Sequence, residues 1–183
     1  ITVQRYAAAR QNDTDFIRTW EVAGAAHADA YYVGGSFDAC GHAINDGPHH
    51  YVAKAGIASL LQWVEQGEAP PHSERIATTI EGDQPMITRD ARGIALGGIR
   101  TPSVDVPIST LSGEAPPGGP SFCRLFGASY PFDETTLFSL YGTKANYLAL
   151  FNSSLDETIE AGFVRVEDAD EYRNEADQAI IPE

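Results

Sequence analysis

Phe16-Ile17-Arg18-Thr19-Trp20-Glu21-Val22-Ala23-Gly24-Ala25-Ala26-His27-Ala28-Asp29 is the stretch on which the fold turns. Phe16, Ile17, Trp20 and Val22 are strand-forming types, and Arg18 and Glu21 interrupt a run that is otherwise mostly apolar. Aromatic and β-branched residues in such a run, stopped by Gly24, predict a largely buried strand. Gly24, Ala25 and Ala26 are small enough to let the backbone turn sharply before His27. A side chain delivered in that way leaves the carboxyl end of a strand, the edge where ligands bind in open α/β sheets. A histidine there can serve as general base and acid near neutral pH, because the ordinary imidazole value is about 6.5. Spacing alone equally admits a buried structural histidine or a helix cap.

Outward from that stretch, 183 residues are enough for one domain with a real core. Apolar residues make up 43% and charged residues 21%, ordinary for a soluble globular protein. The net charge of −14 argues against nucleic acid or an anionic membrane surface as partner, since both need clustered Lys and Arg. The acidity reads as a solubility device. No apolar run reaches the roughly 18 residues of a membrane-crossing helix. The opening residues I-T-V-Q-R-Y-A-A-A-R carry charges and lack a signal peptide's apolar middle. They also lack an initiator Met, so the expectation is a chain cut from a longer precursor.

Residues 1 to 14 read as a connecting helix or loop that closes in the polar cluster Gln11-Asn12-Asp13-Thr14. Asp29 to Pro48, rich in Gly, Asp and Asn, reads as an irregular loop. Pro48 opens a helix, with Asp46 or Gly47 placed to cap it and Gly67 to end it. Val52, Ala55, Ser59, Leu60, Trp63 and Val64 recur along it at helical spacing. Beyond Pro70-Pro71 come short strand-like runs, Arg75 to Ile80, Met86 to Asp90 and Ile94 to Leu96, the last two joined by the turn Asp90-Ala91-Arg92-Gly93. Gly97 to Gly119 reads as an ordered loop or lid, because Ile99, Val104, Val106, Ile108 and Leu111 give it something to bury. Asp133 and Thr143 cap two further helices, the second with Tyr147, Leu148, Phe151, Leu155 and Ile159 on one face and Gly162 at its end. Glu167 to Glu183 is strongly acidic and reads as a terminal helix that frays.

W-E-V-A-G-A-A-H-A-D (Trp20 to Asp29) resembles the segment that carries the catalytic histidine after the last strand in an α/β-hydrolase domain family. The resemblance continues through N-D-G-P-H-H-Y-V (Asn45 to Val52), G-G-I-R-T-P-S-V-D-V-P (Gly97 to Pro107), F-C-R-L-F-G (Phe122 to Gly127) and Pro131-Phe132-Asp133. It implies an α/β chain: the carboxyl-terminal portion of an α/β-hydrolase fold with a helical and short-hairpin extension. Residues 1–183 would be the rear part of one domain. In it, 1–70 hold the last strand, histidine loop and packing helix, and 71–183 hold the extension with hairpin, Gly/Pro loop and helices. The activity implied is hydrolysis of a small-molecule carboxylic ester by Ser, an acid and His in that chain order.

The nucleophile of this fold sits in a G-x-S-x-G elbow. Ser36 lies in G-G-S-F-D, Ser112 is followed at once by Gly113, and Ser129 runs into Tyr130-Pro131, so none is an elbow. The resemblance therefore assigns the serine and the oxyanion-hole amides to an amino-terminal part of the same precursor, held as a separate chain. It places the acid just before Ile1. Asp13 and Asp15 are the nearest acids inside the chain but sit at the wrong end of the predicted strand, and Asp29 reads as the cap of the loop after His27. His27 remains as the catalytic residue.

Other readings stay open. His42, His49 and His50 with Asp38 and Asp46 crowd one short stretch and offer imidazole and carboxylate ligands to a transition metal, although no H-E-x-x-H-type spacing is present. One of these side chains lining the substrate cleft beside His27 is favoured over a metal site. His72 reads as exposed, and Arg100 with Asp105 as an ion pair holding its loop. The hydrolase reading needs no cofactor and no metal. Its alternative is a non-catalytic binding or assembly module of hydrolase-like shape. Cys40 and Cys123 fit either a disulfide or two free thiols; a bridge, with a secreted or periplasmic location, is favoured.

Overall fold

A computed structural model describes residues 3–182. Its helices are α1 (Val3–Tyr6), α2 (Ala30–Val33), α3 (His49–Gln66), α4 (Pro102–Asp105), α5 (Glu134–Tyr141), α6 (Lys144–Glu160) and α7 (Ala169–Gln178). Strands β1 (Thr78–Glu81) and β2 (Gln84–Ile87) pair antiparallel, and so do β3 (Ser109–Ser112) and β4 (Ala128–Pro131). Among the described residues no helix is long and apolar enough to cross a membrane.

The strand predicted over Phe16 to Val22 is not formed. Phe16 is 91% exposed and Ile17 also lies at the surface. The segment makes one β-bridge, Val22 beside Ile99 in parallel, with Ile99 N–H donating to Glu21 O at 2.6 Å and Ala23 N–H donating to Ile99 O at 2.9 Å. Strand propensity expresses the fit of a side chain to a pleated, half-buried surface. With a single bridge and no flanking ladder, that surface is missing. Trp20 is instead held through its ring: its indole N–H donates to Pro71 O at 2.9 Å and it meets Phe163 edge-on at 5.1 Å.

Helix α3 starts after Pro48 and stops at Gly67, whose φ of +77° suits glycine. Pro48 itself occupies the cap position without a side-chain bond, so neither Asp46 nor Gly47 caps the helix. Asp46 turns to Ser129, whose hydroxyl donates to it at 2.5 Å. Only the first turns are buried, through Tyr51, Val52 and Ala55, while Leu60, Leu61, Val64 and Ile57 are exposed.

The predicted turn Asp90–Gly93 exists, with the Asp90 carboxylate accepting from Arg92 N–H and Ile94 N–H, but only one bridge, Arg89 to Ala95, closes it. The hairpin ladder lies one step earlier, β1 to β2 around Gly82. The Gly97–Gly119 segment is ordered, holding α4 and β3 and burying Ile99, Val104, Val106 and Leu111. Asp133 and Thr143 cap α5 and α6 as expected, accepting from Thr136 N–H at 2.7 Å and Asn146 N–H at 3.2 Å. The acidic carboxyl-terminal helix does not fray: α7 docks by burying Tyr172 and Ala176. One large aromatic ring outweighs the propensity of its acidic neighbours to stay in water.

Two larger cores result. One joins Tyr51 of α3 to Tyr147, Phe151, Leu155 and Tyr172 of α6 and α7. The other joins Ala23, just before the small-residue bend, to Ile76, Ile94, Val104 and Leu111. A smaller cluster surrounds the Cys40–Cys123 disulfide, which ties segments 83 residues apart.

Candidate active site

His27 lies exposed in a bend whose neighbours Ala26 and Ala28 are both buried. The bend is tied down on each side. Gly24, at φ +70°, packs so closely that a Cβ there would stand 2.5 Å from Val104 Cγ1. Ala28 N–H donates to Leu125 O at 3.0 Å, and Ala30 N–H donates to Asn45 O at 2.7 Å. The small residues thus do two jobs: they make the turn, and they admit neighbouring backbone against it.

Asn45 is the staple of this region. Fully buried, its side-chain amide donates to Gly24 O at 2.7 Å and to Ser112 O at 3.0 Å, while its Oδ1 accepts from Gly47 N–H at 2.9 Å. Its backbone N–H donates to Phe126 O at 2.8 Å. One side chain therefore holds the turn before His27, strand β3 and the start of α3 in register.

Asp29 closes the other side. It is 1% exposed and caps α2, accepting from Tyr32 N–H at 3.0 Å. Its Oδ2 faces His50 Nδ1 at 3.3 Å. Burial would raise the Asp29 carboxyl, but the bonds from His50 and from the Tyr32 amide hold it below the ordinary aspartate value. His50 is clasped between rings: stacked on Tyr31 at 3.9 Å and tilted on Tyr51 at 4.0 Å. Burial holds His49 below the ordinary imidazole value, partly offset by the charge of Asp29. His27 and His50 are among its neighbours.

Glu21 anchors the stretch before the bend. It is 3% exposed and takes Arg10 Nε at 2.8 Å, Arg10 Nη2 at 2.7 Å, Tyr6 Oη at 2.5 Å and Ile76 N–H at 2.7 Å. Burial pushes its carboxyl up, and these donors more than reverse that, leaving it below the ordinary glutamate value. What looked like an interruption of an apolar run is the best-satisfied carboxylate near the site.

Across residues 1–174 the sequence matches the family described as Alpha/beta hydrolase domain. The chain belongs to this α/β-hydrolase family. No curated protein and no solved structure matched it.

Within this hydrolase chain three of the segments that carry the resemblance meet at the His27 bend. The Asn45 segment holds Gly24 and Ala30, the Phe122–Gly127 segment holds Ala28 and Asn45, and the Gly97–Pro107 segment bridges Val22. Arg100 and Asp105 do form an ion pair, at 2.5 Å. The other candidates are dispersed. His42 contacts Cys40 O at 2.8 Å and Gly127 O at 3.0 Å, His50 pairs with Asp29, and His72 sits exposed beside Asp13. Among the described residues no His, Cys, Asp and Glu gather in a way that could hold a metal ion. Asp13 serves Arg18, Arg75 and the Thr19 amide, and Asp15 is exposed. Surface cavities of about 280 and 500 Å³ lie elsewhere; His27 lines neither. Asn45 and Glu21 went unsingled by sequence reasoning. The signal for Asn45 was its place at the head of a matching motif.

Proposed function

We propose that this chain is the carboxyl-terminal portion of a serine-type hydrolase of carboxylic esters, with His27 as its general base and acid. The nucleophilic serine and the orienting acid come from an amino-terminal segment of the same precursor, present as a separate chain. His27 would take the serine proton during attack on the ester carbonyl and return it to the departing alcohol. The observation that carries this reading is an exposed imidazole on a bend whose two neighbours are buried and whose flanking backbone is tied by Asn45 and Leu125. A surface histidine with no task needs no such anchoring. The lack of a G-x-S-x-G elbow among the 183 residues supports a nucleophile from outside them. The exposed apolar residues Ile57, Leu60, Leu61 and Val64 of α3 offer the face on which that segment would lie.

The test is hydrolysis of a short-chain p-nitrophenyl ester by the protein together with its amino-terminal segment. His27→Ala should lower kcat by at least about 10³-fold. Undiminished turnover in that variant removes His27 from the chemistry. The same apolar face also favours a second reading, a binding or assembly module without activity. That reading gains if the chain copurifies with a partner lacking any G-x-S-x-G peptide, and loses if such a peptide appears in the intact-mass analysis.

A further inference from the structure

We infer that His50 is a positioning residue for His27, acting through Asp29; the inference rests on the esterase reading above. Asp29 follows His27 by a single intervening residue, Ala28. Its carboxylate is divided between two duties, Oδ1 accepting from Tyr32 N–H at 3.0 Å and Oδ2 facing His50 Nδ1 at 3.3 Å. The first bond fixes α2 and the second fixes the bend against the opening turn of α3, near the positive end of that helix dipole.

The other face of His50 says what the imidazole is for. Nδ1–H is donated to Asp29, and Nε2 is buried without a hydrogen-bond partner. Only 10% of the side chain is exposed, and the rings of Tyr31 and Tyr51 flank it at 3.9 and 4.0 Å. A phenylalanine would fill that slot and stack as well without an orphaned nitrogen. What histidine adds at this position beyond its ring is the Nδ1–H. Nε2 reaches no solvent, so His50 does not carry protons to a substrate. Its work is to hold the Asp29 carboxylate, and through it the backbone that presents His27.

The slot also ties the bend to the distant half of the chain. Tyr51, next to His50, stacks on Tyr172 of α7 at 4.0 Å, and the Tyr172 hydroxyl meets Ser103 Oγ at 2.6 Å and donates to Thr101 Oγ1 at 3.1 Å. The T-P-S of the Gly97–Pro107 motif thus backs the same helix turn that grips Asp29.

The experiment compares His50→Phe with His50→Asn in the complete protein, because the Asn side-chain nitrogen occupies the place of Nδ1 and the Phe ring offers no donor. Ester hydrolysis and hydrogen exchange at the Ala28 and Tyr32 amides are read together. His50→Phe should lower kcat by about ten-fold or more with KM little changed, and speed both exchanges. His50→Asn should bring kcat back to within about three-fold of the parent and restore protection. Parent-like kcat in His50→Phe, or equal loss in both variants, overturns the inference. If His50→Phe does not fold, His50→Gln, whose nitrogen lies one bond too far out, takes its place with the same expected outcomes. Should His27→Ala keep full turnover, the esterase reading fails. The exchange data then decide the clamp by themselves: protection lost in Phe and regained in Asn sustains it, and unchanged protection ends it.

Discussion

Arg10 grips Glu21 through two parallel bonds, Nε to Oε1 at 2.8 Å and Nη2 to Oε2 at 2.7 Å, with the carboxylate 1% exposed and the guanidinium at the edge of solvent. Such a fork makes both oxygens acceptors at once, and Tyr6 and the Ile76 amide complete them. Arg10 also donates to Ile76 O at 2.7 Å, so one guanidinium fastens the residues after α1, the approach to His27 and the segment before β1. Arg10→Met should leave a buried carboxylate without its charge partner and cost about 3–5 kcal/mol. Urea denaturation at neutral pH measures it. Loss of less than about 1 kcal/mol would mean that the pair behaves like a surface bridge.

Asn45→Ala should cost about 3 kcal/mol or more, because it leaves the carbonyls of Gly24 and Ser112 and the Gly47 amide buried without the partner they now share. Turnover should fall with stability, since Gly24 is the hinge of the His27 bend. Thermal melts and ester kinetics on one preparation check both. A variant with full stability and lost activity would show a direct part in catalysis instead.

Gly24→Ala tests the bend from the other direction. A methyl group at φ +70° is strained, and here it would stand 2.5 Å from Val104 Cγ1 and 3.1 Å from Leu111 Cβ. We expect a loss of about 2 kcal/mol or more by urea denaturation. Gly34, also at positive φ but with nothing within 4 Å, should tolerate alanine better and serves as the control for strain alone.

The contrast between those glycines shows what could be read in advance. Pro48 and Gly67 bracket α3, and Asp133 and Thr143 cap their helices, because each acts within a few residues of itself. Glu21 and Asn45 act across 55 and 67 residues, on Ile76 and Ser112, and nothing local announces such partners. Phe16 failed for the opposite reason: its strand propensity is real, but a strand exists only where a neighbour completes it. The small residues before His27 left its exposure and its burial equally open, and the Asp29–His50 contact was not legible at all, because two segments must fold together to make it.

Reduction should matter more than two half-exposed loops would suggest. The Cys40–Cys123 bridge closes 83 residues, and the entropy it withholds from the unfolded chain corresponds to about 4–5 kcal/mol. Cys40→Ala with Cys123→Ala should lower the urea midpoint accordingly and loosen the Phe126–Asn45 contact, read as faster exchange of the Asn45 amide. An unchanged midpoint would mean that the unfolded chain is held compact by other means.

Acid should unfold the protein in two stages, with Glu21, Asp29, Asp13 and His49 pushing one way and Glu175, whose carboxyl burial holds above the ordinary glutamate value, opposing them. Glu21, Asp29 and Asp13 have carboxyls held below their ordinary values, so the unfolded chain takes up protons first as the pH falls. Their contribution is complete above about pH 4 and is lost as the pH falls from there through the folded values. His49 is a base held below its ordinary value by burial, so the unfolded imidazole again binds the proton first, but from about pH 6.5 downward. Stability should therefore begin to decline near pH 6.5 and fall more steeply below about pH 4. His49→Gln should flatten the first decline and leave the second, and Arg10→Met should blunt the second by removing a donor that depresses Glu21. Urea midpoints taken every half unit of pH would show it. A single acid transition in the parent, unaltered by His49→Gln, would place the whole linkage on the carboxylates.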